Sequence, residues 1–283
     1  MAKRKSIFDL YQMKVSGEKI AWLTSYDYPT AQFAEAAGMD MILVGDSLGM
    51  CVYGYNGTVP VTMEQCIAHC DAVRRGAPGC FIVGDMPFGA YQSSDVQAVD
   101  NAVRFLKGSD VDAVKLEGGV RVASRIRAIT DAGINVIGHI GLTPQSSGQL
   151  GGHKAQGRTA DTAKLVVEDA LAVQEAGAKM ILVEAVPPEV QKYIWETLSI
   201  PVMSIGAGPH CDGQLLIVSD LIGQFQAFTP KFVKKYCNVA EVITSAMKAY
   251  VAEVKNCTFP DEDKYCYRMV EGEQEKFLAA VKN

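Results

Sequence analysis

The chain has 283 residues, 48% of them hydrophobic and 21% charged, with a formal net charge of -5 and a sequence pI of about 5.5. That is ordinary globular composition. Its acidic balance excludes the basic footprint of a nucleic-acid binder, and no apolar run approaches the roughly 20 residues that span a bilayer.

The short basic cluster Lys3-Arg4-Lys5 has no apolar stretch behind it and so does not form a signal peptide. A soluble protein is expected. The opening residues, through about Ser16, predict a leading helix. "KIAWLTSYD" (19–27) is a short β-like run, and "YPTAQFAEAAG" (28–38) has helical spacing and a terminal Gly. The same pair recurs as "MDMILVGDS" (39–47) with "TMEQCIAHCDAVRRG" (62–76), and as "CFIVGDMPF" (80–88) with "SDVQAVDNAVRFLKG" (94–108). It recurs as "VDAVKLEGG" (111–119) with "VRVASRIRAITDAG" (120–133), and as "INVIGHIGL" (134–142) with "TADTAKLVVEDALAVQEAG" (159–177). "KMILVEAVP" (179–187) precedes "PEVQKYIWETLS" (188–199), and "IPVMSIGAG" (200–208) precedes the helix-like "DGQLLIVSDLIG" (212–223).

These are seven strand–helix units in strict alternation. Their strands are continuously apolar, the mark of parallel strands covered on both faces. "EAAG", "DAG" and "EAGA" place Gly at helix C-caps just before a strand. The pattern predicts a (β/α)8 TIM barrel whose bottom is closed by the N-terminal helix, a single domain over 1–283. The eighth strand is expected in "GQFQAFTP" (223–230). A doubly wound open sheet is the rival, but no GxGxxG follows the first strand.

There are 8 cysteines. Without a secretory signal they are expected as reduced thiols. Cys66, His69 and Cys70 have the proximity of metal ligands, but Cys66 and Cys70 lie one helical turn apart beside Val73 and fit a core-facing stripe better.

Barrel sites form at the C-terminal ends of the strands. Asp46, Asp85, Lys115, Glu117, His139 and Glu184 all fall there. Asp46, Asp85 and Glu117 come from neighbouring strands, and crowded carboxylates need a positive partner. Oxygen donors without Cys or His favour Mg²⁺ over Zn²⁺. Capping of helix N-termini is the plainer reading of each acid, most of all Asp46. Lys115 points to the same side of its strand as Glu117. It can neutralise an oxyanion, form a Schiff base or pair with a carboxylate, and the nearby acids favour an electrostatic role. Glu184, on strand six and apart from the other acids, suits a general base. His139 can hydrogen-bond a substrate or serve structure. Gly206 and Gly208 can admit a phosphate or carboxylate to backbone amides. The long Gly-, Ser- and Gln-rich loop 143–158 is expected to be a lid.

The motifs "SYDYPTAQFAEAAG", "VGDSLGM", "VPVTMEQ", "AVRRGAPG", "DMPFGAY", "VKLEGG", "GHIGLTPQS", "KAQGRT", "VPPEV", "IGAGPHCDGQ" and "PKFVKKY" resemble those of the ketopantoate hydroxymethyltransferase family. The resemblance runs from about residue 6 to 254. It implies a cytoplasmic (β/α)8 barrel assembled as a homodecamer of two pentameric rings. The implied reaction carries a hydroxymethyl group from 5,10-methylenetetrahydrofolate to 3-methyl-2-oxobutanoate, giving 2-dehydropantoate on the way to pantothenate. By motif, the family's Mg²⁺ carboxylates fall on Asp46, Asp85 and Glu117, its 2-oxo-acid contacts on Asp46, Ser47, Asp85 and Lys115, and its proton acceptor on Glu184. The chain departs from the family at Ser219-Asp220 and Ala227-Phe228-Thr229, placed by the sequence at the last barrel strand, and its tail diverges from about 256. Another Mg²⁺-dependent 2-oxo-acid lyase or hydrolase, of the phosphoenolpyruvate mutase and isocitrate lyase kind, is the alternative. A binding protein that kept the fold is opposed by the charges at one mouth, which cost stability unless used.

Overall fold

Eight parallel strands close into a barrel in chain order in the computed structural model, which describes residues 3–282. Helix α1 (Ile7–Ser16) begins at a capping box in which Ser6 and Asp9 satisfy each other's backbone amides. Strand β1 (Ile20–Thr24) leads to α2 (Tyr28–Ala36), capped by Asp27. Strand β2 (Met41–Val44) leads through the single-turn α3 (Leu48–Cys51) to α4 (Met63–Gly76), whose capping box pairs Thr62 with Gln65. Next come β3 (Phe81–Asp85), α5 (Asp95–Ser109), β4 (Ala113–Glu117) and α6 (Ala123–Asp131). Strand β5 (Val136–Gly141), the short α7 (Ser147–Leu150) and α8 (Ala160–Glu175) follow. Then come β6 (Met180–Glu184), α9 (Pro188–Thr197), β7 (Val202–Ile205), β8 (Gly213–Leu216) and α10 (Val218–Leu221).

Side chains alternate across each strand, and the two faces serve two apolar clusters. Outward residues such as Ile42, Ile82, Val114, Leu116 and Ile181 pack beneath the helices. Inward residues fill the barrel: Met41, Leu43, Phe81, Val83, Ala113, Ile137, Met180 and Leu182 meet Leu10 and Met13 of α1. The leading helix therefore plugs the bottom of the barrel, as expected.

The eighth strand is not where the sequence placed it. It is Gly213–Leu216, inside the segment expected to be helical, and it pairs with both β7 and β1. Residues 223–230 form loop instead. The barrel closes where Gly213 lies against β1: a Cβ there would meet the Ile20 carbonyl oxygen at 2.3 Å. Only the single turn α10 remains of the expected helix. The departures at Ser219-Asp220 and 227–229 consequently lie beyond the last strand, in α10 and the following loop.

The chain divides into two compact units, one through Tyr236 and one from Cys237. The sequence had drawn one domain with a tail from about 256. The second unit holds α11 (Val239–Lys255), α12 (Glu262–Tyr265) and α13 (Glu273–Val281), and none of its described residues is buried. Cys66 and Cys70 are buried core thiols. His69 turns away from them, with Nε2 at 3.0 Å from the Tyr53 hydroxyl. Among the described residues no helix is long and apolar enough to cross a membrane.

Candidate active site at the barrel mouth

The inward parity that fills the barrel with apolar side chains delivers charged ones at the top. On β3 it runs Phe81, Val83, Asp85; on β4, Ala113, Lys115, Glu117; on β5, Ile137, His139; on β6, Met180, Leu182, Glu184. Register brings neighbours level: Asp85 with Lys115, and Glu117 with His139. Asp46 and Ser47 follow β2 directly. Asp46, Ser47, Asp85, Lys115, Glu117, His139 and Glu184 line one cavity of about 580 Å³, within the usual range for a ligand pocket.

Lys115 is the centre of the cluster. Its Nζ lies 2.8 Å from Asp85 Oδ1 and 3.5 Å from Glu117 Oε1. It is buried, which by itself favours the neutral amine, but Asp85, Glu117 and Asp46 outweigh burial and hold it firmly as ammonium. An ammonium so held is not a Schiff-base nucleophile, which leaves the electrostatic role.

The three acids respond differently to their crowding. Burial, then the charges of Asp85 and Glu117, push the Asp46 carboxyl well above its usual range. Burial also raises Asp85, against the pull of Lys115. Glu117 goes down: burial opposes this, but Lys115, His139 and the Gln145 N–H prevail. Asp85 Oδ2 accepts the Asp46 backbone N–H at 2.9 Å. Its Oδ1 faces Lys115 without an aligned hydrogen bond.

Glu184 is not isolated from the other acids, as the sequence had it. Its Oε2 lies 3.1 Å from His139 Nε2, and His139 Nδ1 lies 3.4 Å from Glu117 Oε1 and 3.2 Å from Lys115 Nζ. Burial and Lys115 both disfavour a charged imidazole, but the contacts with Glu117 and Glu184 overcome them and push its pKa up to about 9. Directly after Glu184, Ala185 has φ +48, a left-handed conformation strained for a residue with a Cβ. Hydrogen bonds hold it there: its N–H donates to Ile205 O, and its carbonyl accepts from Gln156 N–H, both at 3.0 Å.

Among the described residues, no group of three or more His, Cys, Asp or Glu side chains is gathered as a ready metal cage; the acids surround the Lys115 ammonium. Their chemistry nevertheless fits a hard divalent cation. The donors are oxygens without a thiolate, and one ammonium serves three buried acids, so acidic charge is left over for a cation.

Other expectations resolve in detail. Gly206 and Gly208 make room for side chains: a Cβ would meet the Phe232 ring at 2.5 Å or Pro188 at 2.9 Å. The loop 143–158 holds a 3-10 turn (Pro144–Ser146) and α7 before it becomes irregular. Ser47 Oγ lies 2.8 Å from the hydroxyl of buried Tyr26, which Thr24 also contacts at 3.1 Å. The sequence reading missed Tyr26, Tyr91 and Gln145. Gln145 lies in the quoted "GHIGLTPQS", four residues past the end of β5, and its partners come from distant parts of the chain.

A model of the family described as ketopantoate hydroxymethyltransferase matches residues 4–262. A 3-methyl-2-oxobutanoate hydroxymethyltransferase of Alkaliphilus metalliredigens is 68% identical over 275 residues, covering 97% of each chain. One of Heliobacterium modesticaldum is 49% identical over 260 residues, covering 92% of this chain and 94% of that one. Among solved structures, a phosphonopyruvate hydrolase complexed with oxalate and Mg++ matches with a TM-score of 0.60 at 14% identity, over 98% of both chains. A 2,3-dimethylmalate lyase, a member of the PEP mutase/isocitrate lyase superfamily, matches at 0.59 and 16%, also over 98% of both. These two distant likenesses concern the fold.

Proposed function

Because the chain belongs to the ketopantoate hydroxymethyltransferase family, we propose that it transfers a hydroxymethyl group from 5,10-methylenetetrahydrofolate to 3-methyl-2-oxobutanoate, giving 2-dehydropantoate for pantothenate biosynthesis. The observation that carries this reading is a carboxylate, Glu184, lining the same cavity as a lysine and three buried acids.

Asp46, Asp85 and Glu117 are the residues that would hold Mg²⁺. When bound, Mg²⁺ supplies Lewis-acid polarisation of the 2-oxo group. Lys115 and the Ser47 hydroxyl face the substrate's anionic end, and Tyr26 steadies that hydroxyl. Glu184 removes the proton from C3, and the electron pair moves onto the 2-oxo oxygen to give an enolate. His139, against Glu184 Oε2, fixes the direction of the carboxylate. The enolate carbon then bonds to the methylene carbon of the folate. That carbon gives up its bonds to the folate nitrogens and takes oxygen from water, so tetrahydrofolate leaves. Phe228, Pro230 and Phe232 line the same cavity and offer apolar surface to a flat heterocycle. The proposal includes a cytoplasmic homodecamer, supported by the family resemblance.

The test is turnover of 3-methyl-2-oxobutanoate with Mg²⁺, with and without methylenetetrahydrofolate. Formation of 2-dehydropantoate only with the folate is the expected result. Folate-independent cleavage of a 2-oxo acid would move the protein to the lyase or hydrolase class.

A further inference from the structure

We propose that Gln145 is the positioning residue of the carboxylate cluster, its side-chain amide setting Asp46 and its backbone N–H setting Glu117 in the orientation in which they take a divalent cation. The inference rests on the function proposed above, to which the cation belongs.

Gln145 is a neutral side chain buried among charged ones, and its hydrogen-bonding capacity is committed on several sides. Its backbone N–H donates to Glu117 Oε2 at 2.9 Å. Its Nε2 donates to Asp46 Oδ2 at 2.9 Å and to the Met86 carbonyl at 3.0 Å. Its Oε1 accepts the Tyr91 hydroxyl proton at 2.7 Å. Tyr91 is itself oriented, because its oxygen accepts the Glu117 backbone N–H at 3.1 Å.

These partners fix which way the amide faces. The flipped amide would set Oε1 against a carboxylate and a carbonyl, both of which only accept. The observed orientation spends both amide protons on acceptors and gives the amide oxygen a donor. One residue thereby engages Oδ2 of Asp46 and Oε2 of Glu117, while Glu117 Oε1 faces Lys115 and His139.

The chemistry of the donor matters. A lysine in this place would neutralise the acids and compete with a cation. An amide directs a carboxylate without adding charge, so the acids keep their attraction for a metal ion. Groups that orient metal ligands in this way typically command about 10- to 100-fold in affinity.

The test uses the full chain and Mg²⁺ alone, with affinity measured by calorimetry. Gln145→Met keeps the volume and removes the side-chain hydrogen bonds. Tyr91→Phe leaves Gln145 in place and removes the donor to its amide oxygen, so that two acceptors alone hold the amide. The expected result is Mg²⁺ binding weakened about 10- to 100-fold by Gln145→Met, and weakened less by Tyr91→Phe. Melting in chelator gives a separate readout: a merely structural role lowers the melting temperature but leaves the Mg²⁺ affinity of the folded protein unchanged. Should Gln145→Met fail to fold, Tyr91→Phe decides, and an unchanged affinity there overturns the inference. Wild-type protein that binds Mg²⁺ while the folded variants bind it equally well overturns the positioning role alone. Wild-type protein that takes no Mg²⁺ overturns the reading of the site and this inference with it.

Discussion

His139 Nε2 and Glu184 Oε2 lie 3.1 Å apart, so the imidazole of β5 stands directly beside the acid of β6, the residue proposed above as the base. Glu184→Gln keeps shape and reach but cannot accept a proton. Turnover should fall about 10²- to 10⁴-fold, the usual contribution of a general base. Exchange of the C3 hydrogen of 3-methyl-2-oxobutanoate with deuterated water, followed by NMR without folate, should collapse with it. Exchange at the wild-type rate would assign Glu184 to the folate half of the reaction.

Asp85 should dominate Mg²⁺ binding among single residues. Its Oδ2 is engaged by the Asp46 N–H, and its Oδ1 faces Lys115 without an aligned hydrogen bond. Asp85→Asn preserves size and removes the charge. Calorimetry should show affinity reduced by more than the about 10- to 100-fold that an outer partner commands. Wild-type affinity in this variant would refute the ligand assignment.

The loop 143–158 should close over bound substrate. It is tied at Gln145 to the acids and at Gln156 to Ala185, while Lys154 between them is exposed. Trypsin cleavage after Lys154 should slow when 2-oxo acid and Mg²⁺ are both present. Equal rates on a gel time course, with and without them, would remove the lid.

Arg74 ties α4 to the N-terminal ends of β3 and β4, at the end of the barrel away from the mouth. Its guanidinium pairs with Asp112 and donates to the Cys80 carbonyl at 3.1 Å. Asp112 in turn accepts the Ile82 N–H of β3 at 2.7 Å. Asp112 keeps Arg4, whose guanidinium lies 2.7 Å from its Oδ1, so Arg74→Ala removes one of two cations and should destabilise the fold by about 1.5–3 kcal/mol, the worth of a charged hydrogen bond. Urea unfolding would show it, and a loss within error of zero would mean that Arg4 alone satisfies Asp112.

The first seven strands were legible because each is a continuous apolar run. The eighth was not. Gly213–Leu216 is short, Gln214 on it is exposed, and the Ile217-Val218 that follows lends the segment a helical spacing. The charged residues of the mouth were legible because register and parity place strand ends together. What the sequence hid was the way they are joined. Gln145 lies 99 residues from Asp46 and 54 from Tyr91, and no local pattern marks contacts that only barrel closure creates. His139 likewise looked as structural as it was functional until Glu184 was found against it.

Lys115 gives the buried acids a counter-charge from within the chain. The barrel therefore carries its own internal salt. Its acids have a counter-charge without any ion, so folding is expected to need no metal. In this the mouth is the opposite of a zinc finger, whose ligands find their places only around the ion. Depriving the protein of metal should leave a folded, silent barrel that wakes when the ion is returned.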